Sequence, residues 1–218
     1  MLLAIDTATR VAGLALYDEN GLQAEQMWRT RDNHTVELMP YIVHACEQQG
    51  LSPAGLRAIA VSLGPGSFTG MRVGLSVAKG LALALQIPVL GVPTLDATAH
   101  AFASEKHPVC AVLPAGRSRW VIAFYQGATD DWRRRSEYAL VSERGLLESI
   151  REPTLICGEF DHHLAEVLRA GAPGLALLAS PALAPRRAGC LAELAWKRFE
   201  AGERDNPASL SPIYLQSA

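Results

Sequence analysis

The sequence has few aromatic residues and no excess of charge of one sign. Aromatic residues make up 6% of the 218 residues, the formal net charge is −2, and 49% of the residues are hydrophobic, which is typical of a folded domain. The weak net charge argues against an autonomous nucleic-acid-binding protein, which usually carries a basic stripe. The short arginine clusters at residues 133–135 and 186–187 are therefore interpreted as solvated faces.

Cysteine is also scarce, and no Cys-x-x-Cys pair is present. The four cysteines are far apart in the chain: Cys46, Cys110, Cys157 and Cys190. This spacing predicts reduced core thiols. Asp6 interrupts the N-terminal apolar run too early for a signal peptide, and no apolar run reaches the ~18 residues of a membrane span. The sequence thus predicts a cytoplasmic location without membrane contact.

Several catalytic signatures are missing around the most unusual stretch, the glycine-rich "GPGSFTG" at residues 64–70. It follows an apolar run that ends at Val61 and precedes a helical pattern, a layout that often binds phosphate. It lacks the lysine of a P-loop, since Met71 stands at that place, and it lacks the dinucleotide pattern Gly-x-Gly-x-x-Gly. Ser67 lacks the spacing of a hydrolase nucleophile, and no histidines show the i, i+4 spacing of a helical zinc pair. Residue patterns therefore predict no catalytic residue and no metal site.

The order of the predicted elements repeats. Residues 1–104 have the pattern β-β-β-α-β-α-β-α, and residues 105–218 repeat that order less clearly. The pattern predicts a duplicated α/β fold with an N-terminal lobe at 1–104 and a C-terminal lobe at 105–218. A cleft between two such lobes is a natural place for a ligand.

The helix after the glycine loop has an unusual surface of small residues. Gly70, Gly74, Ala78 and Ala82 recur every fourth residue and form one narrow face that another helix can approach closely. Two interpretations stay open at this point. The preceding helix, over residues 36–49, could cover the apolar surface by itself, or a partner chain could cover it.

Four stretches of the N-terminal half together resemble the TsaB (YeaZ) family. They are "LAIDTAT", "NHTVELMP", "GPGSFTGMRVGLSVAKGLA" and "VPTLDA", in that layout. The C-terminal half resembles the family by layout alone. The resemblance implies a non-catalytic subunit required for threonylcarbamoyladenosine modification of ANN-decoding tRNAs. It also implies two ribonuclease-H-like lobes of the actin, sugar-kinase and Hsp70 (ASKHA) superfamily.

The resemblance further implies the partners. The chain is expected to bind a catalytic TsaD-type paralogue and a TsaE-type ATPase, to form a homodimer when the partner is absent, and to meet tRNA only indirectly. No cofactor of its own is expected, and ATP or ADP is expected, if at all, only in the complex. The expected interface lies on the two helices, at Leu38, Tyr41, Ile42, Ala45, Gly70, Val73, Gly74, Val77, Ala78 and Leu81.

An alternative function from another class is a stand-alone nucleotide-dependent phosphotransferase of the same fold. In that fold Asp6, Thr7 and Thr9 would face the phosphates, although Asp and Thr at a strand end also serve simple turn chemistry. The sequence departs from the family pattern at two positions, and the first of them counts against autonomous ATP hydrolysis. Pro114 stands where many members have an aspartate, and Gln216 replaces an arginine of the C-terminal tail.

Overall fold

The computed structural model describes residues 1–30, 34–127 and 131–215, with residues 34 and 35 described by their backbone alone. Gln216 lies outside these ranges. The chain divides into two compact units. One comprises residues 1–97 and 187–214, and the other comprises residues 98–186 and 215–218. The division falls within the short helix α3 (Thr94–His100).

The first unit is built on a five-stranded sheet with the order β3-β2-β1-β4-β5. β1 pairs antiparallel with β2 and parallel with β4, and β2 and β3 form an antiparallel hairpin. The strands are β1 (Leu2–Asp6), β2 (Val11–Asp18), β3 (Gly21–Arg29), β4 (Ala58–Ser62) and β5 (Val89–Val92). β1 and β4 are buried at every position, which explains why the sequence of each strand is mostly a continuous run of apolar residues.

Helices cover both faces of this sheet. α1 (His34–Gln48) and α2 (Phe68–Leu85) pack on the face that carries the larger side chains, Leu3, Ile5 and Ile59. α6 (Ala188–Glu200) packs on the opposite face, where Ala4, Ala58 and Ala60 leave room for its backbone. The alternation of large and small residues along each strand therefore decides which helix each face receives.

α6 belongs to the first unit, whereas the sequence placed it in the lobe at 105–218. Its buried stripe, Leu191, Ala192 and Ala195, fits the alanine-rich face of the first sheet. The Glu25 carboxylate holds the start of the helix by accepting a hydrogen bond from Gly189 N at 2.8 Å and pairing with Arg187. Helical periodicity predicts an apolar stripe but not the sheet against which it packs.

The second unit repeats the sheet order of the first. Its order is β11-β10-β6-β7-β8, with β9 also paired to β7, so the central strand β6 has an antiparallel neighbour on one side and a parallel one on the other. The strands are β6 (Val109–Pro114), β7 (Arg119–Gln126), β8 (Arg133–Arg134), β9 (Ala139–Ser142), β10 (Thr154–Gly158) and β11 (Ala176–Leu178), and the helices are α4 (Glu143–Ser149) and α5 (His162–Gly171). The predicted duplication is confirmed, and the single strand predicted after β7 is split into β8 and β9.

Among the described residues, α2 is the one helix long and apolar enough to cross a membrane by length and composition. One third of the helix is buried, including Met71, Leu75, Ala78 and Ala82, which pack in the first unit. The buried part of α2 therefore faces its own sheet, and apolar residues such as Leu83 remain on the exposed part.

Two glycines of α2 provide a matched pair for testing this packing. A Cβ at Gly74 would lie inside van der Waals contact of Thr7 Oγ1, whereas a Cβ at the exposed Gly80 would meet nothing within 4 Å. Gly80→Ala should raise the free energy of unfolding by about 0.5–1 kcal/mol, because alanine is the better helix former. Gly74→Ala should lower it by about 1–3 kcal/mol, because the site is already filled. Urea unfolding of both variants measures the difference, and equal effects would contradict this packing.

Candidate functional site

The turn that follows β1 is tied to the glycine loop that precedes α2. Thr7 Oγ1 donates a hydrogen bond to Gly70 O at 2.7 Å, and Ser67 N donates to Ala8 O at 2.6 Å. Asp6 Oδ1 accepts a hydrogen bond from Ala8 N at 3.0 Å, which is the turn chemistry typical of Asp. Asp6, Thr7 and Thr9 are all buried, so the three residues expected near a phosphate lie within the connection between turn and loop.

The glycines of the loop serve this close approach. A Cβ at Gly66 would collide with the Ala8 carbonyl oxygen, and Gly64 has φ +96°, a conformation that favours glycine. Ser67 caps α2 by accepting a hydrogen bond from Gly70 N at 3.2 Å. One of the free N–H groups at the helix start is therefore already satisfied within the chain. We call this contact between the turn at Thr7 and Ala8 and the loop at residues 66–70 the joint, because it fixes the start of α2 against the end of β1.

Six of the ten expected interface residues lie in the interior of the first unit. They are Leu38, Ile42, Ala45, Gly70, Gly74 and Ala78. They pack in the core formed with their own sheet, and their place in an interface stays a prediction. The small face of α2 is small because it approaches Thr7 and Ile5 of β1 and its turn. The other four, Tyr41, Val73, Val77 and Leu81, are half-buried at the edge of the same core.

The sequence reading missed the apolar residues that remain exposed on the two helices. Val36 is 72% exposed, Val43 49% and Met39 39%, and their i, i+3, i+7 spacing places them on one stripe of α1. On α2, Leu83 is 82% exposed and is flanked by the exposed Gly80 and Ala84. We call these six residues the outer helix face. The signal was present in the sequence, since α1 is apolar on two sides and only one side can face its own sheet.

The thiols are not activated for chemistry. Burial raises the pKa of the Cys46, Cys110 and Cys157 thiols, and burial together with the carboxylates of Glu193 and Glu25 raises the pKa of Cys190 to about 11. All four cysteines are free, and three are buried. At neutral pH each is a protonated, weakly nucleophilic thiol. Within the described ranges, no cluster of three or more His, Cys, Asp or Glu side chains could hold a metal ion.

The two sheets repeat one strand order, as the expected duplicated fold requires. Comparisons with known proteins identify the family. A family model described as TsaD, tRNA N6-adenosine threonylcarbamoyltransferase, matches residues 28–147. TsaB of Escherichia coli (strain K12) is 39% identical over 94 residues, which are 43% of this chain and 40% of that protein. The chain therefore spans less than half the length of this curated relative.

Other matches extend over nearly the whole chain. An uncharacterized protein of Mycobacterium tuberculosis (strain H37Rv) is 30% identical over 221 residues, covering 99% of this chain and 91% of that one. The structure of YeaZ from Pseudomonas aeruginosa superposes with a TM-score of 0.80 at 27% identity, covering 98% and 99% of the two chains. The chain belongs to the TsaB (YeaZ) family, as the sequence motifs predicted.

The hydrogen bond from Thr7 to Gly70 provides a test of the joint. Thr7→Val removes the hydroxyl and leaves the buried Gly70 carbonyl without this donor, which should lower the free energy of unfolding by about 1–3 kcal/mol. Thr7→Ser keeps the donor and loses only a methyl group, so its cost should be about 1 kcal/mol. Thermal unfolding of the two variants compares them. A Val variant as stable as the Ser variant would show that the hydroxyl does not hold the joint.

Proposed function

We propose that this chain is the non-catalytic subunit of the machinery that makes threonylcarbamoyladenosine on tRNA. It binds a catalytic TsaD-type paralogue through the outer helix face. The observation that carries the proposal is the exposed apolar stripe of Val36, Met39 and Val43 on α1, together with the exposed Leu83 on α2. Exposed apolar side chains grouped on one surface are typical of a protein interface. The E. coli relative is named a tRNA threonylcarbamoyladenosine biosynthesis protein, which supplies the pathway.

The choice of a TsaD-type partner rests on the shared fold. The TsaD family model matches residues 28–147, a range that contains both α1 and α2. A paralogue of this fold has an equivalent pair of helices, so two chains can pair their helices in a four-helix interface. The same surface then supports a homodimer when the partner is absent.

The non-catalytic role is supported by the chemistry of the chain's own residues. Asp6 and Thr7 are engaged in the joint between β1 and α2, and the four thiols have raised pKa values. The catalytic group transfer therefore falls to the paralogue. In this proposal a TsaE-type ATPase joins the cytoplasmic complex, and ATP or ADP binds only there.

A charge placed on the outer helix face tests the proposed interface. Val43→Glu should weaken binding to the TsaD-type paralogue by about thirtyfold or more, because the interface would bury an unpaired carboxylate. Since Val43 is half exposed in the isolated chain, the variant should unfold at nearly the wild-type temperature. Isothermal titration calorimetry gives the affinity.

The matched control is Leu183→Glu, which replaces another exposed apolar residue, 55% exposed, in the second unit. It should bind the paralogue as the wild type does. Wild-type affinity in the Val43 variant would place the interface elsewhere on the chain.

One observation favours the alternative phosphotransferase. Ser62 ends β4 next to the end of β1, where Asp6 lies, and its buried Oγ has no hydrogen-bond partner in the described part of the chain. Under the non-catalytic proposal, the isolated chain should release no phosphate from Mg-ATP above the background of an Asp6→Ala variant. Saturable release that is lost in Asp6→Ala would instead support the enzyme. A coupled phosphate assay measures both.

A further inference from the structure

The chain exposes only two of its aromatic side chains, and they lie side by side. All aromatic residues fall within the described ranges, and only Phe68 (54%) and Tyr214 (46%) are exposed. Their ring centroids are 5.4 Å apart with an interplanar angle of 35°. The two residues are 146 positions apart in the sequence, so their meeting is a product of the fold.

Arg72 joins the two rings. Its guanidinium lies over the Phe68 ring, 3.8 Å from the centroid, and its Nε donates a hydrogen bond to the Tyr214 hydroxyl at 3.1 Å. For the part of the chain that the structure describes, its two Nη groups have no hydrogen-bond acceptor. The side chain is thus oriented by the rings while its outer donors stay available. We call Phe68, Arg72 and Tyr214 the aromatic cluster.

The C-terminal segment is anchored where it delivers Tyr214. Ile213 N donates a hydrogen bond to Leu63 O at 2.7 Å, and Leu210 packs on the core under α1 and α2. Phe68 and Arg72 are one turn apart on α2, which is itself fixed by the joint at Thr7. All three members of the cluster are therefore held before any ligand arrives, which lowers the entropic cost of binding.

The surroundings of the cluster favour an anion. Residues 48–95 and 206–218, the two segments that build it, contain no Asp or Glu. Lys79 lies two turns along α2 from Arg72, and the cluster lies at the helix start, where the macrodipole is positive. An exposed aromatic ring beside an arginine with free donors matches a nucleotide, whose base stacks on the ring while its phosphate binds the guanidinium.

We propose that the aromatic cluster binds an unpaired nucleotide of an RNA strand. The base stacks on the Tyr214 ring, and the Nη groups of Arg72 bind the adjacent phosphate. The inference rests on the proposed function for its choice of RNA, and it replaces the expectation that tRNA meets this chain only through a partner. One stacking site and one arginine give weak binding, which suits a chain that lacks a basic stripe.

The cluster lies at the opposite end of α2 from Leu83. Leu83 is 15 residues along α2 from Phe68, a distance of about 22 Å at the rise of an α-helix. RNA binding and partner binding can be measured independently.

The test uses fluorescence anisotropy of a fluorescein-labelled oligoadenylate titrated with the full chain at low salt. Tyr214→Leu removes the ring and should weaken binding about tenfold. Tyr214→Phe removes only the hydroxyl and should bind within about twofold of the wild type, because stacking needs the ring alone. Arg72→Gln should weaken binding about tenfold and flatten the salt dependence, because one phosphate contact is lost.

Each other outcome overturns the proposal. The first is that the wild type does not bind oligoadenylate, and the second is that the Tyr214→Leu and Tyr214→Phe variants bind it equally. The third is that labelled polyglutamate binds with the same loss in the variants, which would identify a site for an acidic protein.

The variants are also tested for complex formation with the TsaD-type paralogue. A chain that binds oligoadenylate through the cluster but forms no complex would overturn the proposed function alone. A complex of normal affinity without RNA binding would overturn this inference alone.

Discussion

The structure of the first unit depends on the close contact between the turn after β1 and the loop before α2. Gly66 and Gly74 allow the loop and helix to touch the turn, and the Thr7 hydroxyl closes the contact on Gly70 O. This joint fixes the direction in which α2 leaves the sheet. The helix in turn sets which apolar residues are buried and which remain on the outer helix face. A loop whose position between a strand and a helix suggests a phosphate site therefore acts here as the joint that positions a binding surface.

The same contact explains why the joint and the proposed surfaces can coexist on one helix. The buried side of α2 is occupied by glycine and alanine against β1, so its opposite side is free to carry apolar and charged residues. Leu83 lies near one end of this free side, and Phe68 and Arg72 lie at the other. In the proposed account, α2 thus carries Leu83 of the protein-binding surface near one end and the nucleotide-binding cluster at the other, about 22 Å apart.

Much of the fold followed from sequence patterns. Continuous apolar runs predicted the buried strands β1 and β4, and the repeated order of elements predicted two equivalent sheets. The placement of α6 did not follow, because periodicity reports a buried stripe and not its partner. The spacing of small residues on α2 shows a related limit. The spacing of Gly70, Gly74 and Ala78 predicts a close approach, but only the structure identifies the approaching backbone as the chain's own. The aromatic cluster joins distant residues, so no local pattern predicts it.

The central claim is that the outer helix face pairs with a TsaD-type paralogue. The most direct measurement is the mass of the wild-type chain, alone and mixed with the purified paralogue, by size-exclusion chromatography with light scattering. The account predicts a homodimer alone and a one-to-one complex that replaces it in the mixture, because both assemblies use the same surface. Two unchanged species in the mixture, with and without ATP, would contradict it.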